Sequence, residues 1–209
     1  MNNNINSPES LIKTLYLKYG KRIFDVVFSL FILLFFLSWF VPIIAILVLL
    51  DSKESIFYTQ ERIGAKGIPF KIIKFRSMKG DPPTNDPLLS KEERNRITRF
   101  GKLIRKYRID EHPQFFNVLK GEMSIVGPRP ERQQFLTQII NYIPKYKELQ
   151  ELKPGITSLG QIRFGYADSL DEMLKRARYD LKYLKNLNFW TDIKVIFATI
   201  LVILNGKGK

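Results

Sequence analysis

The sequence predicts an α+β protein in which a re-entrant N-terminal membrane helix precedes a small, mostly helical domain with a β-hairpin and interfacial amphipathic helices. Three observations support this prediction. The 25 residues from Val26 to Leu50 carry no charge, and as a helix they would extend about 37 Å, beyond a hydrocarbon core of ~30 Å. Basic residues lie on both sides of this run. The rest of the chain contains short strand-like segments and amphipathic ones.

The charges divide the chain into a polar N-terminal tail over residues 1–18, a membrane helix over residues 19–51 and a domain over residues 52–209. Four basic residues precede the apolar run, so its N-terminal end should face the cytoplasm. All but four of the 34 basic residues follow Leu50, and so do all but two of the 20 acidic residues. The domain should therefore lie on the cytoplasmic side as well.

The middle of the apolar run contains a predicted break at Ser38 and Pro42. Proline has no N–H, so the carbonyl of Ser38 loses its helical partner, and the Ser38 hydroxyl could help to satisfy the freed backbone groups. A kinked helix that spans the membrane is the ordinary interpretation of such a proline. Because the charges place both ends in the cytoplasm, we instead expect the helix to enter, break and return.

The domain begins with a predicted hairpin, whose strands at residues 56–60 and 69–75 are joined by a turn at residues 64–67. Residues 81–87 form a loop by composition. Helices are predicted from Glu92 and at residues 113–120, 170–187 and 189–204. The first is basic and amphipathic, and the last contains an apolar run too short to span a bilayer, so both should lie at the membrane surface.

The composition limits the possible chemistry. The chain has no cysteine and one histidine, His112, which excludes disulfides, thiol nucleophiles and histidine-cluster zinc sites. A net charge of +14 predicts an anionic partner, which could be nucleic acid, a phospholipid surface or a phosphate-rich substrate. Any reaction must therefore rely on carboxylates, hydroxyls, lysine and arginine.

Asp110 and Glu111 are the main candidates for such chemistry. Taken alone they indicate an ordinary helix start, with the aspartate as its cap. A carboxylate among the neighbouring basic residues Arg105, Lys106 and Arg108 should nevertheless stay ionised at neutral pH. An ionised aspartate can attack phosphorus.

Two further motifs supply cations for phosphate. Gly127 begins a rigid Gly-Pro-Arg-Pro loop that holds Arg129, whose guanidinium can bind phosphate oxygens as a two-pronged fork, and we predict that both residues bind phosphate. Lys74 and Arg76 come at the end of the second predicted strand. The ordinary alternatives are a turn with a solvated arginine and an edge strand with outward-pointing basic residues.

The order of these motifs resembles that of the small bacterial sugar transferases, the monotopic polyprenyl-phosphate phosphoglycosyl transferases. The resemblance runs from about Tyr19 to Lys207. It rests on eight segments: 21–25 (KRIFD), 60–64 (QERIG), 74–78 (KFRSM), 110–114 (DEHPQ), 117–124 (NVLKGEMS), 126–130 (VGPRP), 153–157 (KPGIT) and 192–194 (DIK).

The resemblance implies a re-entrant membrane helix, a catalytic pair at Asp110 and Glu111 that also ligates Mg²⁺, and family arginines at Arg105 and Arg129. It implies transfer of a sugar-1-phosphate from a UDP-sugar to undecaprenyl (polyprenol) phosphate with release of uridine monophosphate (UMP). Such a step would initiate exopolysaccharide, capsule, O-antigen or related glycan synthesis. Asp110 would form a covalent intermediate, or the lipid phosphate would attack directly. Glu111 would serve as a metal ligand or a proton acceptor.

The same resemblance implies a place at the cytoplasmic face of the bacterial inner membrane, with anionic lipid as a further partner. Three positions depart from the family pattern: Arg108, where Ser or Thr is frequent, His112, where Leu is common, and Ser38, which Pro usually follows directly. Two other functions compete, a membrane-tethered nucleic-acid binder and a scaffold whose basic helix docks a partner. Neither uses the carboxylate pair, so we expect no nucleic-acid partner.

Overall fold

The computed structural model describes residues 15–80, 95–165, 167 and 169–208. The predicted loop at residues 81–87 and the predicted helix start at Glu92 lie outside these residues. The α-helices are α1 (Lys21–Ile32), α2 (Ser38–Ser52), α3 (Arg99–Lys106), α4 (Gln114–Lys120), α5 (Gln133–Tyr142), α6 (Leu159–Arg163), α7 (Leu170–Lys185) and α8 (Phe189–Leu204). The strands are β1 (Phe57–Ile63), β2 (Pro69–Phe75), β3 (Ser124–Val126) and β4 (Gly155–Thr157).

The predicted membrane helix is sharply bent. A π-helical turn at Tyr16–Gly20, which begins inside the predicted tail, leads into α1, and a second one at Leu33–Leu37 separates α1 from α2. The pieces Tyr16–Phe35 and Ser38–Ser52 meet at 66°, and only together are they long and apolar enough to cross a membrane. Within the described part of the chain, no single helix meets that condition.

The bend lies before Pro42 rather than at it. In the π-helical turn the Ser38 N–H donates to the carbonyl of Leu33, so the carbonyl of Leu34 loses its regular α-helical donor. The Ser38 hydroxyl donates to that carbonyl at 2.6 Å. Ser38 therefore does satisfy a freed carbonyl, but the break falls earlier than predicted, and Pro42 lies within α2.

Buried polar contacts tie α1 to the domain. The Asp25 carboxylate accepts hydrogen bonds from the Ser124 hydroxyl at 3.1 Å and from the Ile125 N–H at 3.0 Å, both in β3. The Arg22 guanidinium donates to two carbonyls at the end of α4, at 2.6 and 2.8 Å. The predicted membrane helix is thus fixed on the elements that carry the site.

The predicted hairpin is confirmed. β1 pairs antiparallel with β2 from Phe57 opposite Phe75 to Ile63 opposite Pro69. β1 ends at Ile63 rather than at the predicted residue 60. The hairpin presents Lys74, near the end of β2, to the turn that carries the two candidate carboxylates.

A second, parallel sheet was not predicted. In it β3 pairs with β4, with Ser124 opposite Gly155 and Val126 opposite Thr157. The Gly127 N–H continues the pairing by donating to the carbonyl of Thr157 at 3.1 Å. This sheet seats the Gly-Pro-Arg-Pro loop beside the carboxylates.

Three of the predicted helices are confirmed in place, with ends shifted by at most two residues: α4, α7 and α8. The prediction of a helix from Glu92 is wrong at Ile97, because this residue forms a β-bridge with Met78. Helix α3 begins at Arg99, because the Thr98 hydroxyl caps it by accepting from the Gly101 N–H at 2.9 Å.

Candidate active site

Asp110 and Glu111 lie in a short 3₁₀ turn, Ile109–Glu111, between α3 and α4. Arg108 before it has a left-handed backbone (φ 52°), which reverses the chain direction sharply. Because α4 begins only at Gln114, Asp110 does not cap that helix, contrary to the ordinary interpretation of the sequence. The reversal instead places the turn against β2.

Three cations surround Glu111. Its Oε1 lies 3.1 Å from Lys74 Nζ and 3.8 Å from Arg129 Nη1, and its Oε2 lies 3.8 Å from Arg108 Nη1. Burial by itself would raise the pKa of Glu111, but these cations outweigh burial and lower the pKa to about 2. Glu111 is therefore ionised throughout the physiological pH range.

Asp110 is also buried, with 8% of its surface exposed. Burial, followed by the charge of Glu111, raises the pKa of Asp110 to about 6, although Lys74, Arg105 and Arg108 act to lower it. Among the described residues, none donates a hydrogen bond to its carboxylate. At neutral pH the group is ionised and open to a substrate atom.

Both carboxylates line a cleft of about 170 Å³ with a strongly cationic wall. Of the lining residues that the structure describes, nine are arginine or lysine and three are aspartate or glutamate, so the cleft attracts anions. The cations come from distant parts of the chain: Arg62, Lys74, Arg76, Arg96, Arg105, Arg108, Arg129, Arg132 and Arg176. Guanidinium groups in this number suit a ligand with several phosphate oxygens.

The fold gathers six of the predicted site residues in this cleft: Lys74, Arg76, Arg105, Asp110, Glu111 and Arg129. Arg76 lies at its edge, where Nη1 pairs with Glu54 Oε2 at 2.6 Å. Arg105 donates to the Met78 sulfur at 3.6 Å. The predicted strand end and the predicted loop therefore do deliver cations to the same place as the carboxylates.

Gly127, predicted to bind phosphate, does not line the cleft. A Cβ at this position would lie 2.4 Å from the carbonyl oxygen of Lys153 and 2.8 Å from the N atom of Gly155. The absence of a side chain thus lets β3 and β4 approach each other, which gives Gly127 a packing role. Its contact with phosphate stays a prediction.

Asp180 holds the backbone of Arg129. Its carboxylate accepts from the Arg129 N–H at 3.4 Å and from the Gly160 N–H at 2.8 Å. Burial raises the pKa of Asp180 to about 6, which the hydrogen bonds and Arg176 only partly oppose. This support from α7 fixes the arginine whose guanidinium reaches Glu111.

Several cleft residues were missed from the sequence. Tyr58, Gln60 and Arg62 occupy alternate positions of β1, and all three line the cleft. The period of two in a strand would have identified this shared face once the hairpin was predicted. The buried pair between Arg176 Nη2 and Glu131 Oε1, 2.6 Å apart, had no comparable signal because its members come from separate elements.

The donor set for Mg²⁺ is small. Within the described part of the chain, no group of three or more carboxylates, histidines or cysteines could hold a metal ion. Both carboxylate oxygens of Glu111 lie beside cationic side chains. The carboxylate of Asp110, by contrast, accepts no hydrogen bond from a described residue. Mg²⁺ is commonly held by one or two carboxylates together with substrate phosphates, which fits a site centred on Asp110.

Comparison with known proteins agrees with this chemistry. The family described as bacterial sugar transferase matches residues 16–206. A UDP-N-acetylgalactosamine-undecaprenyl-phosphate N-acetylgalactosaminephosphotransferase of Aeromonas hydrophila is 42% identical over 78% of this chain and 39% of its own length. A UDP-glucose:undecaprenyl-phosphate glucose-1-phosphate transferase of Klebsiella pneumoniae is 41% identical over 86% of this chain and 39% of its own.

A third relative is close in length. The uncharacterized sugar transferase EpsL of Bacillus subtilis (strain 168) is 38% identical over 90% of this chain and 89% of its own length. By contrast, the chain spans about two fifths of the length of the first two relatives.

Proposed function

The chain belongs to the bacterial sugar transferase family, and we propose that it transfers a sugar-1-phosphate from a UDP-sugar to undecaprenyl (polyprenol) phosphate, releasing UMP. The names of the relatives at about 40% identity support this reaction. The observation that carries it is the open, ionised carboxylate of Asp110 within a cleft of nine cationic side chains. A nucleophile so placed suits a diphosphate substrate.

The reaction proceeds in two steps. One oxygen of the Asp110 carboxylate attacks the β-phosphorus of the UDP-sugar, and the bond from that phosphorus to the bridging oxygen breaks, so UMP leaves. An oxygen of the lipid phosphate then attacks the same phosphorus, and the bond to Asp110 breaks, which restores the carboxylate. The alternative, direct attack by the lipid phosphate, needs no bond to Asp110.

Glu111 acts as an anchor for the cations. With a pKa of about 2 it is a poor proton acceptor, and its two oxygens already face Lys74, Arg108 and Arg129. Fixing these cations beside Asp110 offsets the repulsion between an attacking carboxylate and a diphosphate. Glu111 thus serves the reaction without a proton transfer of its own.

Mg²⁺ is the proposed cofactor. Asp110, with Glu111 adjacent, would be the chain's own ligand for it, and phosphate oxygens of the substrate would supply further ligands. When bound, the ion supplies further neutralisation of charge on the phosphates. Lys74, Arg105 and Arg129 provide the remaining positive charge from the protein side.

The membrane is the proposed location, with the helix at residues 19–51 re-entrant and the domain at residues 52–209 on the cytoplasmic face of the inner membrane. The 66° bend supports a returning helix. Exposed apolar side chains along α8, among them Trp190 and Phe197, suit an interfacial helix, and the net charge of +14 suits anionic lipid. The product would start exopolysaccharide, capsule, O-antigen or related glycan synthesis.

A membrane-tethered nucleic-acid binder is not favoured. Its support is the net positive charge, yet many of the cations converge on a cleft that also contains Asp110 and Glu111. A surface for a nucleic-acid backbone would expose basic residues without burying acidic ones among them.

The test is UMP release by the full chain in detergent with Mg²⁺, from a panel of UDP-sugars, with and without polyprenol phosphate. Turnover with at least one UDP-sugar that depends on the lipid supports the reaction, and Asp110→Asn should abolish it. Lack of UMP release from every UDP-sugar, with the protein folded, would contradict the proposal.

A further inference from the structure

The cleft has a second end, which is lined by apolar side chains together with the buried ion pair of Arg176 and Glu131. Arg129 connects the two ends, since its guanidinium lies 3.8 Å from Glu111 and its backbone N–H lies 3.4 Å from the carboxylate of Asp180. Three lining residues of the second end, Phe135, Ala167 and Met173, belong to one apolar cluster. Gln161 and Gly165 also line the cleft. The Asp180 carboxylate also accepts from the Gly160 N–H, so it joins this end to the backbone of Arg129.

Gln161 is an uncharged polar residue at this end of the cleft, and only 3% of it is exposed. Its Oε1 is buried and, within the described residues, has no hydrogen-bond partner. The surrounding backbone is fixed, because the Gln161 N–H donates to the Ser158 hydroxyl at 3.0 Å and the Gly160 N–H donates to Asp180 at 2.8 Å. An unpaired buried acceptor on a fixed backbone favours a ligand that supplies the donor.

We propose that Gln161 recognises the uracil base of the UDP-sugar, an inference that rests on the proposed function. The edge of uracil presents one N–H donor between two carbonyl acceptors. A carboxamide matches this pattern, because its oxygen accepts from the N–H while its NH₂ donates to a neighbouring carbonyl. Phe135 and Met173 offer aromatic and thioether surfaces that suit a planar ring.

The position of Gln161 agrees with the geometry of the substrate. The sugar is attached to the β-phosphate, which Asp110 attacks, so the sugar stays near the carboxylate pair. The uracil is separated from that phosphate by the α-phosphate and the ribose. Gln161 is likewise removed from Glu111, because the contacts that join them run through Gly160, Asp180 and the length of Arg129.

The test compares the binding of UMP and of 3-methyluridine monophosphate, which lacks the N–H donor, to the full chain by calorimetry. The unmodified protein should prefer UMP by about tenfold, the order expected for one buried hydrogen bond. In Gln161→Leu the two ligands should bind within about twofold of each other, because leucine accepts no hydrogen bond. Gln134→Leu, at an exposed glutamine of α5, is the matched control and should keep the tenfold preference.

Gln161→Met, whose unbranched side chain fills the same space, replaces the leucine variant if thermal unfolding shows that the latter is not folded. Equal binding of both ligands by the unmodified protein would overturn the inference, as would a preference that survives in the variants. A variant that binds UMP normally but changes its choice between UDP-glucose and UDP-N-acetylgalactosamine would also overturn it, by placing Gln161 at the sugar. Failure of the proposed function is distinguished from failure of this inference, because the unmodified protein would then release no UMP from any UDP-sugar.

Discussion

Asp110 and Glu111 are neighbours in the chain, yet their surroundings move their pKa values in opposite directions. Burial raises the pKa of both groups, but the three cations around Glu111 outweigh it, whereas at Asp110 burial and the Glu111 charge prevail. The sequence placed cations beside Asp110 correctly at Arg105 and Arg108. It gave no information on burial, which depends on how the turn packs against β2.

The two carboxylates should therefore affect stability with opposite signs. The folded pKa of Asp110, about 6, is above its ordinary value, so its stabilising contribution is present at low pH and is lost as pH rises through about 6. Asp110→Asn lacks this loss and should be more stable than the unmodified protein at pH 7.5. The folded pKa of Glu111, about 2, is depressed, so its contribution is present at pH 7.5, and Glu111→Gln should be less stable there.

Each effect should amount to up to about 3 kcal/mol in the free energy of unfolding, measured by denaturation in detergent between pH 5 and pH 8. The advantage of Asp110→Asn should shrink toward pH 5. Changes of the same sign in both variants at pH 7.5 would show that the two sites do not differ as described.

At the scale of elements, local patterns predicted the hairpin and the helices α4, α7 and α8, because alternation, periodicity and turn residues determine them. The parallel pairing of β3 with β4 could not be predicted in this way. Its strands are three residues long and about thirty apart, and it depends on a close approach of Gly127 and Gly155. The same limit explains why the packing role of Gly127 was not predicted.

Gly127→Ala should separate β3 from β4, because its Cβ would lie 2.4 Å from the carbonyl oxygen of Lys153. We expect a loss of at least about 3 kcal/mol in the free energy of unfolding, together with lower activity as Arg129 shifts. Gly67→Ala is the control, since a Cβ there meets nothing within 4 Å and costs only the ~1 kcal/mol of a left-handed backbone. Equal losses in the two variants would contradict the packing role of Gly127.

At the scale of the whole molecule, the predicted membrane segment and the domain are one packed unit. Asp192, fully buried in α8, accepts hydrogen bonds from the hydroxyls of Tyr16 and Tyr183 at 2.6 Å each, and Lys21 also donates to it. Together with Asp25, this cluster joins the start of the bent helix to α7, α8 and β3. The cleft is therefore held at a fixed position relative to the bend at Leu33–Leu37.

The bend and the flanking charges predict that both ends of the membrane segment face the cytoplasm. The chain has no cysteine, so Ser10→Cys and Glu61→Cys each introduce a single thiol, one before and one after the segment. In oriented membrane vesicles, an impermeant thiol reagent should label both variants from the cytoplasmic side only. Labelling of the two variants from opposite sides would establish a spanning helix.

The most direct test of the account is a single-turnover reaction of the purified chain with UDP-sugar and Mg²⁺ in the absence of lipid. We expect about one UMP per active site to be released at once, with a phosphosugar found by mass spectrometry on the peptide that contains Asp110. Asp110→Asn should lose both the burst and the adduct. A burst that survives in Asp110→Asn, or normal turnover with lipid and no burst without it, would contradict covalent catalysis by Asp110.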